Sequence, residues 1–300
     1  MLASLRELSL DAQAGHFGLG AFNVIHLEHA TAFVRAAERA QCPVVLQISE
    51  NAVKYHGDLE PIALAALAIA RKSAVPVVVH LDHVKQRALI EEAARLGFPS
   101  VMFDGSTMPD DENREATAEV VAYCHAHGVD VEAELGEVGG KNGVHDPTAR
   151  TSPDAAAAFL RDTAVDLLAV AVGSSHAMTT QSARLDNDLI RAIRAAVDVP
   201  LVLHGSSGVS DDDIVAAIAV GITKVNVATH FNQILTETVR CELASDPTLV
   251  DSRKWFAPAR EAVEDEAFRL LTLYRRAAEP ASWASSWRQQ ADPNTHNHQS

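Results

Sequence analysis

The sequence has few aromatic residues and few basic residues. The first shortage limits how the core can be packed, and the second argues against binding to nucleic acid. Aromatic residues make up 5% of the 300 residues. The core must therefore consist mainly of aliphatic side chains, which a chain that is 47% hydrophobic supplies in quantity. Lys and Arg number 25 against 40 Asp and Glu, which gives a formal net charge of −15. Because binding to DNA or RNA requires a basic face, we expect no nucleic-acid partner.

Cysteine and long apolar runs are also scarce. The three cysteines show no CxxC spacing, and an odd number of them is typical of free thiols in a reducing compartment. No uninterrupted apolar stretch reaches the roughly 18 residues that a membrane-spanning helix needs. The N-terminal segment carries Arg6 and Glu7 and lacks the apolar core of a signal peptide. These features predict a cytoplasmic protein with no membrane partner.

Short apolar runs, most of them rich in Val and Leu, recur along the chain and are typical of strands covered on both faces. They occupy residues 20–24, 43–49, 76–82, 100–104, 129–135, 166–172, 200–204 and 224–229. The segments between them carry apolar residues at the three- and four-residue spacing of amphipathic helices. These segments are 27–41, 60–74, 85–97, 112–128, 152–164, 185–198 and 211–221, and a further helix is predicted within 250–278.

This alternation predicts an α/β fold, a (β/α)8 TIM barrel with extra C-terminal helices, which forms one domain over residues 1–278. A doubly wound open sheet is the alternative, but it usually has fewer strands, and no GxGxxG motif follows the first strand. The polar tail, 279–300, is rich in His, Gln and Ser, and we expect it to be disordered.

Three histidines stand where apolar runs stop: His83, His176 and His204. Imidazole is a common zinc ligand, and a catalytic zinc typically takes three protein ligands and keeps one position open. Catalytic groups of such barrels lie at the carboxyl ends of the strands, where side chains from different strands can converge. The sequence therefore predicts a zinc site at this end of the barrel.

Asp82 directly precedes the first of these histidines. On an extended chain the two neighbouring side chains would point apart, so Asp82 is not expected to ligate the same ion. It could exchange a proton with a substrate oxygen near the metal, or it could orient a histidine ligand through a hydrogen bond. The sequence leaves both roles open.

Two further segments have the composition of anion-binding loops. HGSSG (204–208) and NVAT (226–229) each follow a predicted strand. Small residues let backbone N–H groups approach an anion, and phosphate sites after the seventh and eighth strands are common in these barrels. We therefore expect a phosphate group here.

The motifs HLDH, SVMFDGSTMPDDEN, VEAELGEVGG, GSSHAM, LVLHGSSGV, KVNVAT and DSRKWFAPAREA, in this order, resemble those of the class II (zinc-dependent) fructose-bisphosphate and tagatose-bisphosphate aldolases. The likeness runs from about residue 5 to residue 275. It implies a zinc-containing barrel that reversibly cleaves a ketose bisphosphate, such as fructose 1,6-bisphosphate or tagatose 1,6-bisphosphate, to dihydroxyacetone phosphate and glyceraldehyde 3-phosphate. It also implies a homodimer or homotetramer.

The resemblance assigns roles by position. It implies that His83, His176 and His204 bind zinc, that Asp82 is the catalytic acid/base, and that Asp104 and Glu134 bind a second divalent or a monovalent cation. Arg253 matches an arginine that reaches the distal phosphate in a neighbouring subunit. The remaining positions implied to bind substrate are Gln47, Ser49, Ala177, Gly205, Ser206, Ser207, Asn226, Val227, Ala228 and Thr229.

The chain departs from the family pattern at a few positions. Asn142 stands where the family has the loop glutamate that abstracts the donor proton, and Ala177 replaces a glycine whose backbone meets the phosphate. These departures leave alternatives: a zinc aldolase for a different phosphorylated keto-sugar, or a non-catalytic metal-binding subunit of the same fold.

Overall fold

A computed structural model describes residues 1–135, 150–176 and 178–277. Eight parallel strands close into a barrel in the order β1 to β8, each paired with its neighbours in sequence and β8 paired with β1. The strands are β1 (Leu19–Asn23), β2 (Val44–Ser49), β3 (Val77–Val84), β4 (Ser100–Phe103), β5 (Asp130–Glu134), β6 (Leu167–Ala169), β7 (Leu201–Leu203) and β8 (Ile222–Val227). All eight predicted strands are present, and the predicted barrel is confirmed.

The helices surround the barrel: the first precedes β1 and packs against the amino ends of the strands, and the others follow the strands and cover the outside. They are α1 (Leu5–Ala14), α2 (Leu27–Ala40), α3 (Glu50–His56), α4 (Glu60–Lys72), α5 (Arg87–Leu96), α6 (Asp110–Ala126), α7 (Pro153–Thr163), α8 (Asn187–Ala196), α9 (Asp211–Val220), α10 (Thr229–Ser245) and α11 (Ser252–Tyr274). Within the described residues, no helix combines the length and the apolar character needed to cross a membrane. The predicted tail lies outside the described residues.

The two ends of the barrel differ in polarity, and this difference positions the site. At the amino ends of the strands, Leu5, Leu8 and Ala12 of α1 pack in one apolar cluster with inward-facing residues such as Val45 and Val78. Aliphatic burial therefore closes this end. The opposite end is lined by polar residues and is open to solvent.

The backbone around two of the predicted ligands differs from the prediction. β3 continues through His83, which has a left-handed φ of 52°, and the pairing of β3 with β4 shifts register between Leu81 and Val84. The prediction that Asp82 and His83 lie on an extended chain is therefore wrong. The irregular backbone turns both side chains toward the same cavity, as bulges next to active sites commonly do. His176 lies in the loop that follows β6, seven residues beyond its last residue.

Candidate active site

A cavity of about 680 Å³ opens at the carboxyl ends of the strands. Most of the residues predicted from the sequence to form the site line it. These are Ser49, Asp82, His83, Asp104, His176, Gly205, Ser206, Ser207, Asn226, Ala228 and Thr229. The eight-stranded barrel thus brings together residues that lie far apart in the sequence, from Ser49 to Thr229.

The three predicted zinc ligands converge. His83, His176 and His204 each offer a ring nitrogen, and these atoms lie within 4.8 Å of one another. A second group combines His83 with Asp104 and Glu134 within the same distance. Imidazole nitrogens and carboxylate oxygens are the donors that zinc takes in catalytic sites, so the residues present fit a zinc ion.

His204 is fully buried between two carboxylates of β5. Its Nδ1 lies 3.2 Å from Glu134 Oε2, and its Nε2 lies 3.0 Å from Glu132 Oε1. Burial alone would lower the pKa of this imidazole, but the hydrogen bonds to the two carboxylates outweigh burial and raise the pKa of His204 to about 9. Without metal, His204 is therefore an imidazolium at neutral pH, and a metal ion must displace its proton.

Asp82 has the surroundings of a proton-transfer group. Its side chain lines the cavity, it is 2% exposed, and its Oδ1 has no hydrogen-bond partner among the described residues. Burial raises the pKa of Asp82, but the electrostatic influence of the neighbouring basic groups, His83 first and then Lys224, more than compensates, so the pKa stays below its usual range. An ionised oxygen without a partner is free to accept a proton from a molecule in the cavity.

The carboxylate that contacts a histidine ligand from below is not Asp82. Glu132 and Glu134 bond His204 and Asp104 bonds His83, whereas Asp82 accepts no hydrogen bond from a histidine within the described ranges. Of the two roles that the sequence left open for Asp82, the geometry favours proton transfer.

The predicted phosphate loops meet on one side of the cavity. Gly205 has a φ of 65°, and a Cβ there would come within 2.5 Å of the Ser175 carbonyl carbon. A short 3-10 turn (Ser206–Gly208) follows. α10 begins at Thr229, which lines the cavity together with Ala228, and the N–H of His230 donates to Ser207 Oγ at 3.3 Å and ties the helix start to this turn. A helix N-terminus at this position favours an anion.

Other predicted site residues that the structure describes are not part of the cavity lining. Gln47 is buried inside the barrel and donates to Asn23 Oδ1 at 3.3 Å, and Val227 is also buried. Arg253 is exposed and pairs with Asp251 at 2.9 Å. Ala177 and Asn142 lie outside the described residues.

The structure also reveals residues that the sequence analysis missed. Glu50, Lys54, Tyr55, Lys85 and Asn232 line the cavity, and the helix α3 that carries the first three of these was not predicted. Glu132 and Lys224 lie beneath the histidines inside the barrel. Their charge within otherwise apolar strands was the signal that could have found them.

Comparison with known proteins identifies the family of the chain. The sequence model of the family described as fructose-bisphosphate aldolase class-II matches residues 3–278. The chain belongs to the class II fructose-bisphosphate aldolase family.

Individual members of this aldolase family are similar over nearly their whole length. The fructose-bisphosphate aldolase of Geobacillus stearothermophilus is 37% identical over 267 residues, which cover 88% of this chain and 93% of that protein. The corresponding protein of Thermus caldophilus is 37% identical and covers 91% and 98% of the two chains. The crystal structure of the YdjI aldolase from Escherichia coli K12 has a TM-score of 0.82 at 35% identity, covering 91% and 97% of the chains.

Proposed function

We propose that this member of the aldolase family is a zinc-dependent lyase that reversibly cleaves a ketose bisphosphate, such as fructose 1,6-bisphosphate or tagatose 1,6-bisphosphate. The products would be dihydroxyacetone phosphate and glyceraldehyde 3-phosphate. The observation that carries the proposal is the convergence of three imidazoles beside a buried carboxylate that has an unpartnered oxygen. The fructose-bisphosphate aldolases among the relatives support it.

The metal would be held by His83, His176 and His204, and Asp104 with Glu134 would hold a second cation. A bound zinc ion supplies Lewis acidity toward the oxygens of the substrate. His83 and His176 are half-buried in the cavity lining and His204 is fully buried, which limits the contact of the three rings with water.

The protein residues would orient the substrate and move its proton. The N–H groups at the start of α10, together with the turn after Gly205, would bind the donor phosphate. Asp82 Oδ1 would accept the proton of the substrate hydroxyl as the carbon–carbon bond breaks, and would return it in the direction of synthesis. Holding the phosphate fixes the reacting carbon relative to this carboxylate.

The distal end of the substrate would lie toward β2 and α3, where Ser49 lines the cavity. We also propose that the protein is a homodimer or homotetramer in which Arg253 reaches the distal phosphate of a neighbouring subunit. Within one chain this arginine is 89% exposed and lies outside the cavity lining, so it is available to a neighbour.

A screen of ketose monophosphates and bisphosphates for release of dihydroxyacetone phosphate, with and without EDTA, tests the proposal. We expect metal-dependent release from at least one ketose bisphosphate. Release only from another phosphorylated keto-sugar would identify the alternative aldolase. Tightly bound zinc without turnover of any ketose phosphate would instead identify a non-catalytic metal-binding subunit, and the proposal would be wrong.

A further inference from the structure

A layer of charged residues lies inside the barrel, directly beneath the three histidines. Glu132 of β5 and Lys224 of β8 are both fully buried there. Lys224 Nζ lies 2.8 Å from Glu132 Oε2, and Glu132 Oε1 lies 3.0 Å from His204 Nε2. A chain of contacts therefore runs from the ammonium through the carboxylate to one of the predicted zinc ligands.

The two nitrogens of His204 face different surroundings. Nδ1 faces Glu134, which belongs to the second group of possible metal ligands together with His83. Nε2 faces Glu132, which belongs to neither group. The geometry thus leaves Nδ1 for a metal ion and Nε2 for a hydrogen bond to Glu132.

The ion pair is costly as a purely structural element. Two buried charges lose their hydration, and a well-packed apolar pair of similar volume is often equally stable or more stable. Lys224 supplies the positive charge that a buried carboxylate needs, and its second bond, 2.9 Å to Asn226 Oδ1, helps to hold the ammonium in place. His80 Nε2, at 3.8 Å, is the other basic atom near Glu132 Oε2.

We propose that Glu132 and Lys224 are positioning residues for the metal: Glu132, held by Lys224, accepts the Nε2–H of His204 and thereby fixes the ring with Nδ1 directed at the zinc ion. The inference rests on the proposed metal site. A partner of this kind sets the tautomer, the direction and the basicity of a histidine ligand, and its loss typically weakens metal binding by about 10- to 100-fold.

The test removes both charges together, because removing one would leave the other buried and unpaired. The variant Glu132→Leu/Lys224→Met keeps similar volumes and abolishes the acceptor for His204. We expect it to fold, with a melting temperature near that of the wild type, and to bind zinc about 10- to 100-fold more weakly in competition with a chromophoric chelator. The metal affinity is measured rather than the activity, because Lys224 also contacts Asn226 in the cavity lining.

Ser100→Ala is the matched control. Its hydroxyl bonds His80 Nδ1 at 2.9 Å in the same buried layer and lies outside the chain of contacts from Lys224 through Glu132 to His204. This variant removes one buried hydrogen bond without touching the chain of contacts, so its zinc affinity should stay within about twofold of the wild type. If the double variant folds and matches this control, the pair is only structural and the inference is wrong.

A zinc-loaded crystal structure of the wild-type protein gives a second, independent test. Coordination through His204 Nδ1, with Nε2 still within hydrogen-bond distance of Glu132, supports the inference, and coordination through Nε2 contradicts it. This crystallographic test remains decisive even if the double variant fails to fold. A wild-type protein that binds no zinc would overturn both the inference and the proposed function, whereas a zinc-dependent aldolase with an unaffected double variant would overturn the inference alone.

Discussion

Gly205→Ala is expected to damage the metal site through the backbone alone. Gly205 has a φ of 65°, a region in which a non-glycine residue costs about 1–2 kcal/mol. A Cβ at this position would also lie 2.5 Å from the Ser175 carbonyl carbon and 3.0 Å from the His176 amide nitrogen. Ordinary contact begins at 3.4 Å, so the peptide that precedes His176 must move by about 0.9 Å.

The displacement would be passed to His176, one of the three proposed zinc ligands. A misplacement of about 1 Å in a catalytic group can lower the rate on the order of 10²-fold. We therefore expect Gly205→Ala to lower the melting temperature, the zinc affinity and the cleavage rate together. Thermal unfolding, chelator competition and release of dihydroxyacetone phosphate measure the three effects.

Gly128→Ala provides the comparison. Gly128 has a similar φ of 70°, and a Cβ there would meet nothing within 4 Å. This variant carries the cost of the left-handed backbone without the collision, so it should lose about 1–2 kcal/mol of stability and keep its zinc affinity. If Gly205→Ala lowers stability no more than this control and binds zinc as tightly as the wild type, the account of the His176 loop is refuted.

Three further predictions concern proton transfer and metal binding. Asp82→Asn should keep its zinc and its fold but lose about 10²-fold or more in cleavage rate; a near-normal rate in a steady-state assay would show that Asp82 does not move the proton. Because the pKa of His204 is raised to about 9, its proton competes with zinc at all lower pH values, so the zinc affinity should rise about tenfold per pH unit between about pH 7 and about pH 8.5. Chelator competition at several pH values measures this slope, and an affinity that is already flat above about pH 6.5, as for an ordinary histidine, would contradict it. Asn142→Glu should speed deuterium exchange into dihydroxyacetone phosphate by about 10²-fold if this loop is the place of the base; rapid exchange in the wild type that the substitution leaves unchanged would place the base elsewhere.

The strands were predictable from the sequence because each is an apolar run covered on both faces. Pro76 and Pro200, for example, directly precede β3 and β7 and mark where these strands begin. The helices α1, α3 and α10 were not predicted. α10 buries only Phe231 fully and therefore lacks a strong apolar stripe, and α3 has only seven residues.

The site was predictable in its residue types but not in its local geometry. The ligand set could be assigned from position, because the carboxyl ends of the strands meet at one end of the barrel. The left-handed backbone at His83 could not be predicted, because nothing in the residue types of HLDHV indicates a register shift between β3 and β4. This irregularity brings His83 to the side of the strand on which Asp82 lies, where an extended chain would have turned the histidine away.

The layer of charged residues beneath the histidines was not predicted, because β5 and β8 were interpreted as apolar strands. Glu132 and Glu134 alternate with Val131 and Ala133, so both carboxylates point into the barrel while the apolar residues face the helices. Lys224 and Asn226 alternate in the same way on β8. Charges at alternate positions of a buried strand indicate a polar interior, and the sequence carries that signal.

Titration of zinc into metal-free protein, with cleavage of the active ketose bisphosphate followed at each addition, shows whether the three-histidine site is the catalytic centre. We expect no cleavage without metal and a rate that rises linearly until this site is filled. We also expect that His204→Ala, which removes one of the three ligands, needs a far higher zinc concentration to reach any activity. Full activity in the metal-free protein, or a filled zinc site with no cleavage of any ketose phosphate, would contradict the account.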